Sequence, residues 1–90
     1  MKKIYLDARE MEHPKPLEYA ISALRELNED EYFYMLHRKN PIPLLSLARG
    51  EHFHSLSYEE EEGLWHILIC KDKRVDLDGL IERSMASAQL

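Results

Sequence analysis

The sequence predicts an α+β protein: a two-layer α/β sandwich in which a four-stranded mixed sheet carries two helices on one face. Three observations support this fold class. Apolar residues change from alternating to helical spacing twice within the first 50 residues. Each change falls at an x-Pro-x-Pro-Leu sequence, HPKPL at residues 13–17 and NPIPL at residues 40–44. Two alternating segments then follow without a helix between them, so the predicted order is β-α-β-α-β-β.

The first strand and helix form one βα unit. Ile4 and Leu6 alternate with polar or amphipathic neighbours, a pattern typical of a short strand. From Leu17 to Leu27 the apolar residues recur at helical spacing, which predicts an amphipathic helix of about three turns. We expect Asn28 to end this helix in the left-handed conformation.

The second βα unit repeats this order. An aromatic-rich run over residues 32–36 predicts the second strand. Residues 44–48 predict a short helix, and Gly50 fits the position just past its end. Pro16 and Pro43 fit the first turn of the two helices, because an N–H there has no intrahelical partner and the fixed φ of proline suits a helix.

The remaining strands are predicted to form a hairpin. Residues 52–59 and 64–71 alternate in polarity and are joined by an acidic turn. Pairing of Glu59 with Leu64 would place five large side chains on one core face: Leu56, Tyr58, Trp65, Ile67 and Ile69.

The C-terminal segment is separate from this pattern. Residues 76–89 carry apolar residues at helical spacing, with Asp76 or Asp78 as a candidate N-cap and Gly79 as an unfavourable interior residue. An extra packed helix, a dimer contact and a frayed end are the three open outcomes. We therefore divide the chain into a domain at residues 1–72 and an extension at residues 73–90.

The composition excludes several classes of partner. A net charge of −5 argues against nucleic-acid binding, and no apolar segment is long enough for a membrane span. Asp7 and Arg9 interrupt the first ten residues, where a secretory signal would need an apolar run. The single cysteine, Cys70, has no partner for an internal disulfide. We expect a cytoplasmic protein that is a monomer or a weak homodimer.

The first proline motif carries a family resemblance. The segment LDAREMEHPKPLEYAISAL, residues 6–24, resembles the opening of the TusA-like (SirA-like) sulfur carriers, whose pattern is Leu-Asp-x-Arg-Gly-Leu-x-Cys-Pro-x-Pro-Leu. It is even more similar to a sister family of unknown function that shares the fold, generally lacks the cysteine and often occurs beside haemerythrin-like domains. NPIPL and the Trp-containing segment LWHILI also match this sister family. The resemblance covers roughly residues 4–71 and implies the sandwich fold.

Two residues depart from the sulfur-carrier pattern. Glu10 replaces a glycine, and His13 replaces the cysteine that holds the persulfide in those carriers. A persulfide requires a thiolate, which imidazole cannot supply. No nucleophile with a neighbouring base and no Gly-rich phosphate loop is visible either, so we favour a protein that is not an enzyme and has no cofactor.

Both helix starts are expected at one edge of the sheet, where N–H groups and basic side chains would attract an anion. The candidate ligand-binding set surrounds the two proline motifs: Asp7, Arg9, His13, Pro14, Lys15, Pro16, Arg38, Asn40 and Pro41. The leading hypothesis is a regulatory or accessory binding module whose partner is a protein or a small anionic ligand.

Two alternatives stay open. In the first, the chain is a divergent sulfur-transfer protein in which Cys70 or a partner supplies the thiol. In the second, histidines bind a metal, since His52 and His54 lie two residues apart on a predicted strand, with His66 expected on the opposite side of the hairpin.

Overall fold

The computed structural model describes residues 1–88 of the chain. These residues form a single four-stranded sheet with three helices, and the predicted α+β order is confirmed. The elements are β1 (Lys2–Asp7), α1 (Lys15–Glu26), β2 (Glu31–His37), α2 (Ile42–Gly50), β3 (His54–Glu61), β4 (Leu64–Cys70) and α3 (Leu77–Ala88). None of the helices in this part of the chain is long and apolar enough to cross a membrane.

The strand order places both helix starts at one edge of the sheet. The order is β1-β2-β4-β3, with β1 parallel to β2 and β4 antiparallel to both of its neighbours. The strands β1, β2 and β3 therefore point in the same direction. Because α1 and α2 each return the chain from the end of one of these strands to the beginning of the next, both helices begin where β1 and β2 end.

The main core lies between the sheet and the two helices α1 and α2. Side chains that alternate along β2 and β4 point into it, as a period of two requires. The buried members from the sheet are Phe33, Met35, Ile67 and Ile69. The buried members from the helices and their flanks are Ala8, Ala20, Leu24, Leu27, Leu44 and Ala48.

The third helix covers the opposite face of the sheet. Leu77 and Ile81 of α3 are buried in a second cluster with Tyr32, Leu68 and Cys70. The strands β2 and β4 are therefore buried on both sides, which explains why β2 reads as a nearly continuous apolar run. Among the three open outcomes for the C-terminal segment, the structure has the packed helix; residues 89–90 of the predicted extension lie outside the described residues.

An aspartate cap begins α3. Asp76 precedes the helix, and its Oδ1 accepts a hydrogen bond of 3.1 Å from the N–H of Gly79. The expected cap is therefore Asp76 rather than Asp78. A Cβ at Gly79 would lie 2.6 Å from Oδ2 of the capping carboxylate, so the glycine leaves room for the cap.

The hairpin pairs in a different register from the one expected. Glu59 pairs with Trp65 rather than with Leu64, and a β-bulge beyond Glu59 takes up the extra residue. A shift of one residue moves side chains to the other face of a sheet. Leu56 and Tyr58 therefore lie on the α3 side instead of facing α1 and α2, whereas Trp65 packs against the main core as expected.

The expected left-handed helix ends are also corrected. Leu27 ends α1 in an extended conformation, with φ −68° and ψ 128°, and Asn28 is not left-handed. The extended conformation places the side chain of Leu27 in the core, where it is only 2% exposed. The helix therefore ends with a buried leucine and not with a left-handed asparagine. Gly50 is the last residue of α2, and the left-handed residue is His52 with φ 65°. The turn at His52 delays the start of β3 from residue 52 to His54.

Candidate functional site

A cleft with a volume of about 250 Å³ lies between the starts of α1 and α2. Both x-Pro-x-Pro-Leu sequences contribute to its walls, together with the end of β2. The apolar walls consist of Met11, Pro16, Leu17, Met35, Pro43 and Leu44. The polar lining consists of His13, His37, Arg38, Lys39 and Asn40. Pro41 completes the lining.

The prolines shape the cleft by starting the helices. Pro16 and Pro43 are each the second residue of their helix, so the predicted first-turn positions are confirmed. Pro14 and Pro41 occupy the N-cap positions and make no side-chain cap bond. The N–H of Lys15 donates to the carbonyl of Glu12 and that of Ile42 to the carbonyl of Asn40, and the prolines have no N–H. The first-turn N–H groups that are available to solvent or to a ligand are therefore those of Leu17 and Leu44. The His13–Pro14 peptide bond is cis.

All ionisable lining residues that the structure describes in this cleft are basic: His13, His37, Arg38 and Lys39. The chain as a whole carries a net charge of −5, so the cleft is a local exception on an acidic protein. Nη2 of Arg38 lies 3.5 Å from the carbonyl oxygen of Met11, which brings the loops before α1 and α2 together.

His37 has a defined hydrogen-bonding state. Its Nδ1 accepts hydrogen bonds from the backbone N–H groups of Arg38, at 2.8 Å, and Lys39, at 3.4 Å. The proton of the neutral ring is therefore on Nε2, which makes that nitrogen a donor. Burial lowers the pKa of His37, and the positive charges of Arg38 and Lys39 lower it further. The neutral imidazole is consequently favoured.

Asn40 connects the cleft to β3. Its Oδ1 accepts a hydrogen bond of 2.6 Å from the hydroxyl of Ser57. Since this bond occupies the amide oxygen, the amide NH₂ points away from Ser57 and keeps its donors for other partners. The backbone carbonyl of Asn40 accepts the N–H of Ile42, the first residue of α2.

The cleft brings together five of the nine residues that the sequence indicated as ligand-binding: His13, Pro16, Arg38, Asn40 and Pro41. Pro14 is adjacent as the N-cap of α1. Lys15 lines a shallow depression with Glu18 and Tyr19 on α1 instead.

Asp7 and Arg9 pair with each other. Two hydrogen bonds join the guanidinium to the carboxylate, from Nε at 2.9 Å and from Nη2 at 2.8 Å, on an exposed surface. These bonds lower the pKa of Asp7. Each charge already has a partner, so the pair stabilises the loop after β1. Neither residue lines the cleft.

Sequence reasoning missed His37 and Lys39. Both follow the apolar run of β2, and the parallel pairing of β1 with β2 carries them to the edge where α1 begins. A signal was present in the sequence, because residues at the end of a strand that precedes a helix share an edge with the previous helix start. The predicted set includes Arg38 and Asn40 from the charged run after residue 36 and omits His37 and Lys39.

The sulfur-transfer alternative concerns the thiol of Cys70, and the metal-binding alternative concerns the side chains of the histidines. Cys70 is 0% exposed beneath α3, its Sγ donates to the carbonyl of Asp72 at 3.3 Å, and burial raises its pKa.

His54 shares a hydrogen bond of 3.1 Å with the carbonyl of Val75 through Nε2. His66 lies on the same sheet face as His54 and not on the opposite one, because His54 pairs with Cys70 and β4 alternates. Among residues 1–88, no three His, Cys, Asp or Glu side chains are grouped to hold a metal ion.

A polar chain lies on the α3 face. The hydroxyl of Tyr34 hydrogen-bonds to Nδ1 of His66, and Nε2 of His66 lies 3.0 Å from Oε1 of Glu60. Burial raises the pKa of Tyr34 to about 12, which keeps its hydroxyl protonated. The Glu60 carboxylate only accepts, so Nε2 of the neutral His66 ring carries the proton and Nδ1 accepts from the Tyr34 hydroxyl. Tyr5 contacts Tyr34 with ring centroids 6.0 Å apart, and Nζ of Lys3 lies 5.0 Å from the Tyr34 centroid. No local pattern in the sequence indicates these contacts, because they depend on how β4 pairs with β2 and with β3.

Comparison with known proteins found one family. Residues 5–71 match the model of a family described as uncharacterized conserved protein (DUF2249). The matched segment contains both x-Pro-x-Pro-Leu sequences and ends before α3. The comparison with curated proteins and the comparison with solved structures found no match.

Proposed function

We propose that this chain, which belongs to the family of uncharacterized conserved proteins (DUF2249), is a non-catalytic binding module with a regulatory or accessory role. Its ligand carries an anionic group, on a small molecule or on an acidic peptide, and binds in the cleft between the starts of α1 and α2. Since residues 5–71 include every cleft-lining residue, the proposed site lies wholly within the family domain.

The observation that carries this proposal is the composition of the cleft. Its ionisable lining residues are basic, and its donors include the Arg38 guanidinium, the Asn40 amide and Nε2 of His37. Bonds between such donors and an anionic acceptor are stronger than neutral hydrogen bonds. The apolar walls and the volume of about 250 Å³ suit a carboxylate or phosphate with a short apolar attachment.

We further propose that the fold is a sister of the TusA-like sulfur carriers. Six residues that match the carrier motifs support this relation: Leu6, Asp7, Arg9, Pro14, Pro16 and Leu17. His13 stands at the cleft where the carriers have cysteine, so an imidazole replaces the thiolate. Burial of Cys70 argues against sulfur transfer through that thiol. A single buried cysteine is typical of reducing compartments and supports the cytoplasmic location we propose.

Titration of ¹⁵N-labelled protein with phosphate, sulfate and acetate tests the proposed function. We expect the largest amide shifts at Leu17, Leu44 and Asn40, which line the cleft. Arg38→Gln should weaken binding about tenfold, because it removes a charge-assisted hydrogen bond. Lys73→Gln is the matched control, since it removes the same charge from an exposed loop outside the cleft. Shifts that are absent from the cleft, or equal effects of both variants, would contradict the proposal.

A further inference from the structure

The cleft and a second cavity both lie between α1 and α2, and we call the two together the groove. The second cavity, with a volume of about 440 Å³, lies between the later turns of the same helices and includes Phe53 and Lys71. Leu17 of the cleft and Ile21 of the second cavity are four residues apart on α1. Pro43 and Leu47 are four residues apart on α2. Residues four apart lie on the same face of a helix, so each wall continues from one cavity to the next.

The side chains between the two cavities are apolar and partly exposed to solvent. Leu17 and Ile21 are half-buried, and Leu47 is 39% exposed. Large exposed apolar side chains that adjoin a cavity are typical of interaction surfaces.

The charges along the groove are mostly positive. Arg38 and Lys39 line the first cavity, and Arg25 and Lys71 line the second. Glu51 is the single carboxylate among the described lining residues of both cavities. The complete chain has 17 acidic residues and 12 lysines and arginines, so the rest of the surface is predominantly negative. Such a distribution attracts an acidic segment to this groove and repels it elsewhere.

We propose that the groove binds an extended acidic segment of a partner protein, with a carboxylate at the helix starts and an apolar side chain in the second cavity. This inference rests on the proposed function, because it names the ligand class of the same cleft. The cavities are offset by about seven residues of α1, or roughly 10 Å at the rise of an α-helix. An extended chain covers that distance in about three residues. The bound segment therefore carries the acid and the apolar residue three positions apart.

A peptide titration tests the inference. The peptide Ac-Glu-Ser-Ser-Leu-Asp-NH₂ has the required spacing and a second acid for the Arg25 and Lys71 end, and its control replaces Glu and Asp by Gln and Asn. We expect the acidic peptide to shift amides at both ends of the groove, at Leu44 and also at Leu47 and Glu51. Acetate should shift the first end alone, and the neutral peptide should bind at least threefold more weakly.

Variants at the far end separate the inference from the proposed function. Lys71→Glu should weaken binding of the acidic peptide at least threefold and leave acetate binding unchanged. Lys73→Glu makes the same change of charge outside the groove and should change the affinity for neither ligand. An unchanged peptide affinity in Lys71→Glu overturns the inference while cleft binding of acetate persists. If neither acetate nor peptide binds, the proposed function fails as well. If native mass spectrometry shows a concentration-dependent dimer, and dimer formation shifts the same amides, the occupant of the groove is a second copy of the chain. That result would overturn the proposal that a partner protein binds there.

Discussion

Removal of one hydroxyl tests the polar chain on the α3 face. Tyr34 is 4% exposed and His66 is 6% exposed, and the hydroxyl of Tyr34 is the partner of Nδ1 of His66. Tyr34→Phe removes this oxygen and keeps the ring that packs in the cluster beneath α3. The substitution therefore leaves a buried nitrogen without its partner and changes little else.

The structure sets the size of the effect. A buried acceptor that loses its partner costs about 1–3 kcal/mol. For a domain of 60–100 residues, each kcal/mol corresponds to roughly 4–8 °C in Tm. We expect Tyr34→Phe to lower the free energy of unfolding by about 2 kcal/mol. Tyr58→Phe is the matched control, because Tyr58 is 43% exposed and contacts the same imidazole; its effect should stay within about 0.5 kcal/mol.

Urea denaturation followed by circular dichroism measures both variants, with unchanged m-values as the condition for comparison. The double variant Tyr34→Phe with His66→Leu completes a cycle. Because His66→Leu removes the nitrogen that Tyr34→Phe leaves without a partner, the two losses should be less than additive. A loss below about 0.5 kcal/mol in Tyr34→Phe, or fully additive losses, would refute the assignment of this bond.

Three further predictions concern the turns, the cleft and the thiol. Gly63 has φ 79°, so Gly63→Ala should destabilise the fold by about 1–2 kcal/mol. Gly50 lies in a helix with no atom near the new Cβ, so Gly50→Ala should stabilise the fold by up to about 1 kcal/mol. Thermal unfolding measures both changes, and the same sign for both would contradict this reasoning. The lowered pKa of His37 means that the fold favours the neutral ring, so its contribution is present above about pH 6.5 and is lost as the pH falls through the folded pKa. His37→Asn keeps an acceptor for the backbone N–H groups but does not titrate. Urea titrations should therefore show that the variant loses less free energy of unfolding between about pH 7.5 and pH 5 than the parent protein does. Equal losses in the two proteins would count against this role of His37. Cys70 should react with a maleimide rapidly in urea and slowly in the native protein, and rapid native labelling would show that α3 does not cover the thiol.

The elements of the fold were predictable because their signals are local. The x-Pro-x-Pro-Leu sequences indicate a helix start through the fixed φ and missing N–H of proline, and both helices begin there. A candidate cap at Asp76 or Asp78 and the helical spacing after it made α3 one of three open outcomes for the C-terminal segment. The candidate site was predictable only in part: His13, Arg38 and Asn40 line the cleft, whereas Arg9 is held by Asp7 and His37 was missed.

Local patterns in the sequence were sufficient to predict the order of the four strands and the first two helices, the two proline-marked helix starts and the acidic character of the chain. Only the folded structure shows the hairpin register, the face that α3 covers and the joining of two distant proline motifs into one basic cleft. Propensity and spacing act over a few residues, whereas register and burial depend on contacts between residues far apart in the chain. A bulge beyond Glu59 moved Leu56 and Tyr58 to the other face, and the helix that packs there buries Cys70.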